Sequence, residues 1–107
     1  MKKTILFIEP DAHVREAVIL LLGEKAYFVE VASLIEGLEL LKITPVDLIL
    51  SHEFASEIVN FKAPAVIFSA KLGLNREDLV SKGAVEAFSK IHDWNHFLGF
   101  LKNFLEG

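Results

Sequence analysis

The 107-residue chain carries 11 lysines and arginines against 15 acids, a net charge of −4, with 52% hydrophobic residues and no cysteine. One core's worth of chain, residues 1–107, is expected to form a single globular domain, which excludes a disordered chain, a disulfide framework, thiolate metal sites and a Cys nucleophile. The acidic balance leaves no electrostatic footprint for nucleic acid or for an anionic membrane surface.

Lys2 and Lys3 ahead of Ile5–Ile8 resemble the start of a secretion signal, but the apolar run stops at Glu9 and Pro10. An h-region needs roughly 7–15 apolar residues and a membrane span about 18. The chain therefore reads as cytoplasmic and mature as written.

Ile5–Ile8 is a continuous apolar run, the pattern of a strand buried on both faces. Asp11 can cap a helix reaching about Glu24, with Val14, Val18, Leu21 and Leu22 on one side. Tyr27–Val31 reads as the second strand, and Ser33-Leu34-Ile35-Glu36 as a capping box that opens a helix to about Ile43. Asp47–Ser51 is the third strand. Only residues 52–63 separate it from the fourth, Pro64–Ser69, close to the minimum for a βαβ crossover. Phe54, Ile58 and Phe61 give that segment a short amphipathic piece of about two turns at most. Asn75 starts a short helix that Gly83 can end. Ala84–Phe88 is the fifth strand, and Asp93 caps a last helix running to about Leu105, anchored by Trp94.

Strands alternating with helices imply a parallel sheet. Charges inside the second and fifth strands, Glu30 and Glu86, mark these two as edges. The expected architecture is α/β: a flavodoxin-like (βα)5 three-layer sandwich, order 2-1-3-4-5, with a shortened third crossover helix. Ligands in such sheets bind beyond the strands' carboxyl ends, where strand order reverses. Glu9, Pro10 and Asp11, Ser51, His52 and Glu53, Ser69 and Lys90 are expected to converge there.

At this point the chain resembles the receiver domain of two-component response regulators, over essentially its whole length. Ile5 to Arg15 looks like that family's opening strand and acidic cluster, and Val46 to His52 like the strand delivering the phosphoacceptor aspartate. Pro64 to Ala70 resembles the strand ending in Thr/Ser-Ala, and Gly83 to Lys90 the strand carrying the essential lysine. Within this resemblance, His52 takes the place of the acceptor aspartate, and Pro10 that of an acid holding Mg²⁺. Glu9, Ser69 and Lys90 keep their positions, Ala87 replaces the aromatic switch residue and Ile91 the proline after the lysine.

Mg²⁺ asks for oxygen ligands in near-octahedral geometry, and an acyl phosphate needs a carboxylate. With His52 and Pro10 in place, Mg²⁺ binding is expected to be weak or absent, and no cofactor is implied. The resemblance then implies a degenerate, non-enzymatic pseudo-receiver that works through a protein partner, with a homodimer as one form. Lys90 is expected to pair with Glu9 or Glu53. The alternatives are an active receiver using Asp11 or Glu53 as acceptor, and a small-molecule or metal-binding flavodoxin-like domain, with His52, Glu9, Asp11 or His13 as ligands.

The last helix also carries an apolar arc of about 160°, against roughly 100° for an ordinary surface helix. Its flank, Phe100 and Phe104, is the candidate interface, as part of an exposed patch. The competing expectation is that the first helix covers both rings.

Overall fold

The structure is a computed structural model that describes residues 2–71 and 73–107. Five parallel strands form one sheet in the order β2-β1-β3-β4-β5. They are β1 (Lys3–Ile8), β2 (Ala26–Val31), β3 (Leu48–Ser51), β4 (Ala65–Ser69) and β5 (Glu86–Ser89). The helices are α1 (Ala12–Leu22), α2 (Leu34–Leu41), α3 (Arg76–Ser81) and α4 (Trp94–Glu106). The third crossover is a single 3-10 helix, Ser56–Asn60. The expected order, the edge strands and the shortened crossover are all present.

Side chains alternate across β1 and build two cores. Ile5 and Phe7 face α1 and α4, together with Leu48, Leu50, Val66 and Phe68. Leu6 and Ile8 face α2, the 3-10 helix and α3, with Ile49 and Ile67. Phe68 stacks on Phe97 of α4 at a centroid distance of 3.7 Å, and Trp94 meets Phe68 edge-on at 5.0 Å. Trp94 is thus the anchor expected of it. Close approach of α2 to the sheet depends on Gly37, where a Cβ would lie 2.5 Å from Cδ1 of Ile8.

The edge charges are paired. Arg15 Nε lies 3.4 Å from Glu30 on β2. Arg76, at the start of α3, grips Glu86 on β5 with two hydrogen bonds of 2.6 and 2.7 Å. Hydrogen bonding from Arg76 holds the Glu86 carboxyl below its ordinary pKa, and Glu86 in turn raises that of Arg76.

Local details depart from the sequence reading at three places. Leu21 is 57% exposed, because α1 buries Val18 and Leu22 while Val14 packs at the core's edge. Ser33 Oγ caps α2 by accepting from Glu36 N at 3.2 Å, but it also donates to the Glu36 carboxylate, where a capping box has Glu36 reach the Ser33 backbone. Asp93 does not cap α4 with its side chain. Its carboxylate accepts from Ser89 N at 2.8 Å, and only its carbonyl serves the helix, accepting from Phe97 N.

Candidate functional site

At the carboxyl ends of the strands Glu9 and Lys90 meet, while His52 follows β3 and Ser69 ends β4. Glu9 follows β1, and its backbone N–H donates to Val31 O at 3.0 Å, extending the β1–β2 pairing by one residue. Its side chain is 1% exposed. Asp11 N donates to Glu9 Oε2 at 3.1 Å, while Asp11 Oδ1 accepts from His13 N as the cap of α1. The turn that starts α1 therefore seats the carboxylate.

Lys90 reaches the same acid from the far side of the sheet. Its backbone N–H donates to Ser69 O at 2.8 Å, and its side chain, 14% exposed, places Nζ 2.5 Å from Glu9 Oε1. The contact is an ion pair without hydrogen-bond alignment, so Oε1 makes no directed hydrogen bond among the described residues. Removing one partner of such a pair leaves an uncompensated buried charge.

His52 stands at the end of β3. Both its backbone N–H and its Nδ1 approach Ile8 O, at 3.0 and 3.3 Å. A carbonyl only accepts, so Nδ1 can contribute to this contact only as a donor. Nε2 then faces Glu53 Oε1 at 3.8 Å, with the histidine side chain 22% exposed. Ser51, fully buried, donates its hydroxyl to Glu53 O at 2.7 Å and accepts from Glu53 N at 3.3 Å. That loop turns the Glu53 carboxylate outward, so Lys90 pairs with Glu9, the first of its two expected acids.

Ser69 is buried, and its Oγ accepts from Lys71 N at 3.0 Å. It opens on a cleft of about 410 Å³ whose floor includes Phe54, Ile67 and Leu79. Glu9, His52 and Lys90 are not part of that cleft's wall. Ala87, buried in β5 opposite Ile67, presents only a methyl group. Pro10 is exposed and offers no side-chain oxygen.

Glu9 has one oxygen on the Lys90 ammonium and the other on a backbone N–H. The flanking positions are an imidazole and a proline. Among the described residues no group of three or more His, Asp or Glu side chains is placed to hold a metal ion.

One contributor lies outside the sequence reading. Arg15 donates to the Glu9 carbonyl while its Nε faces Glu30, tying α1 to both strands. Its position four residues after the cap Asp11, on the face turned to the strand ends, was the available signal. Ser51 was placed at the site, but its part in folding the β3 exit was not foreseen.

The candidate interface on α4 differs from its expectation. Phe100 and Phe104 are half-buried, packed against the α1/α4 core. Phe100 lies 5.7 Å from the Phe88 ring, and Lys3 Nζ sits 4.3 Å above Phe104 while donating to its carbonyl. Phe88 of the edge strand and Lys3 of the N-terminal strand approach the rings, and Leu20 of α1 points to solvent. The two rings do not form an exposed patch.

No protein-family profile matches the chain, and no curated protein matches it. Solved structures do. A response regulator receiver domain from Francisella aligns with TM-score 0.80 at 14% identity, covering 98% of each chain. A response regulator from Thermotoga maritima gives 0.78 at 18% identity over 100% of both chains. The receiver domain of a sensor histidine kinase from Pseudomonas aeruginosa, with magnesium coordinated in its active-site cleft, gives 0.71 at 19% identity over 100% of both. At these identities the likeness establishes the fold: the described chain has the architecture of response regulator receiver domains.

Proposed function

We propose that the chain is a receiver-type module of two-component signalling that acts through protein–protein contact and has lost acyl-phosphate chemistry. The observation that carries this reading is the closed Glu9–Lys90 pair, 2.5 Å apart, beside a histidine in the acceptor position. In a phosphorylated receiver the lysine meets a phosphoryl oxygen and acids meet a metal. Here the lysine's partner is supplied from within, and the Glu9–Lys90 pair is neutral without either ligand.

Catalysis has no apparatus in this reading. His52 cannot form an acyl phosphate, because that linkage needs a carboxylate nucleophile. Ser69 Oγ accepts from Lys71 N, and Ala87 has no ring to move when the hydroxyl shifts. The module belongs in the cytoplasm, where two-component partners are found, and no helix among the described residues is long and apolar enough to cross a membrane.

The test is incubation with acetyl phosphate, and separately with beryllofluoride, each with millimolar Mg²⁺. Intact mass is expected to stay unchanged, and neither Trp94 fluorescence nor the thermal midpoint should respond to Mg²⁺. Stoichiometric, Mg²⁺-dependent labelling would instead establish an active receiver with Asp11 or Glu53 as acceptor.

A further inference from the structure

We propose that the shortened third crossover creates a docking groove for an amphipathic, basic-flanked helix of a partner protein, seated between α2 and the 3-10 helix. This rests on the protein-interaction reading above and names the surface and the chemistry of the partner.

The groove has about 380 Å³ and is lined by Ile35, Leu38 and Glu39 of α2, by Lys42 at its C-cap, and by Glu57, Asn60 and Phe61. Ile35, Leu38, Glu39 and Lys42 fall at i, i+3, i+4 and i+7, the ridge that one helix presents to another. On the opposite face of the sheet, α1 and α4 cover the core side by side. On this face, five residues of 3-10 helix stand between α2 and α3. They fill the core with Ile58 but leave the flank of α2 without a helical neighbour. Ile35 is consequently 75% exposed. A β-strand partner would need a free sheet edge, and β2 and β5, the edges, lie elsewhere.

Charge selects the flanks of the occupant. Lys42 is held by Glu39 at 3.2 Å. Glu57 has no basic partner among the described residues and accepts only from the Ser56 hydroxyl. The groove's uncompensated charge is therefore negative, on a chain that is itself net negative. A lysine- or arginine-flanked apolar stripe complements it, whereas an acidic helix is repelled.

A fluorescent synthetic peptide of leucine and lysine at helical spacing serves as the probe, with a leucine/glutamate peptide as control, read by anisotropy. The lysine peptide should bind saturably and the glutamate peptide should not. Ile35→Asp, at an exposed position, should keep the circular dichroism and weaken binding by about tenfold or more. Glu57→Gln should weaken binding less and reduce its salt dependence. The proposal is overturned by no saturable binding, by equal binding of both peptides, or by binding that ignores Ile35→Asp. Sedimentation that reveals a dimer abolished by Ile35→Asp would overturn it as well, making a second copy the occupant. Labelling by acetyl phosphate would refute the proposed loss of phosphorylation and leave this groove test standing, and the reverse also holds.

Discussion

Lys90 Nζ and Glu9 Oε1 meet 2.5 Å apart across the ends of β5 and β1, two strands that are not neighbours in the sheet. The pair spans β3 and β4 and closes the strand ends over the buried acid. Because both groups are largely out of water, their attraction is poorly screened, and loss of one strands the other.

Lys90→Met should therefore destabilise the domain at neutral pH, by about 3 kcal/mol in urea unfolding. Glu9→Gln in the same chain should recover part of that loss, with a coupling of at least about 1 kcal/mol between the two positions. Strictly additive effects would mean that the ion pair contributes nothing.

Restoring the acceptor should not restore the switch. His52→Asp supplies a carboxylate, yet Pro10 still offers no oxygen and Lys90 is already engaged. Acetyl phosphate with Mg²⁺ is expected to label that variant far below stoichiometry, as read by intact mass. Full labelling would show that the acceptor alone was missing.

Phe100 and Phe104 should behave as core-edge residues. Truncating both to alanine removes contacts with Phe88 and with Lys3, at a cost of about 2–4 kcal/mol for the pair. Chemical denaturation measures it, while sedimentation should give an unchanged oligomeric state. A fully stable variant with altered association would reinstate these rings as an interface.

Arg76 and Glu86 give the acid limb of the stability curve a specific origin. The folded-state pKa of Glu86 is lowered, so its contribution is complete above the ordinary value of 4.5 and fades as pH falls through the lower folded value. Glu86→Gln should be less stable than the parent at neutral pH, with the gap closing as the solution is acidified. A gap that stays constant from neutral to acid pH would remove the ion pair from the account.

Much of this was legible in the sequence, for local reasons. Short continuous apolar runs such as Ile5–Ile8 and Val66–Phe68, closed by turn residues, read as strands covered on both faces, and helical patterns between them imply parallel crossovers. Glu30 and Glu86 identified the edges because a charge in a central strand would be buried without water. Once strand order is settled, the residues after each strand must assemble at one end, so Glu9, His52, Ser69 and Lys90 could be named together.

Tertiary structure decided what those residues do to one another. Lys90 had two acids within its expected reach, and the choice of Glu9 follows from Ser51 bending the β3 exit so that Glu53 turns outward. The ring of His52 is set against the Ile8 carbonyl, a backbone group whose direction no side-chain pattern encodes. Helical periodicity shows how wide the apolar arc of α4 is but not what covers it. Phe88, on the preceding strand, and Lys3, 101 residues from Phe104, approach the two rings, and burial of this kind is a property of the packed fold alone.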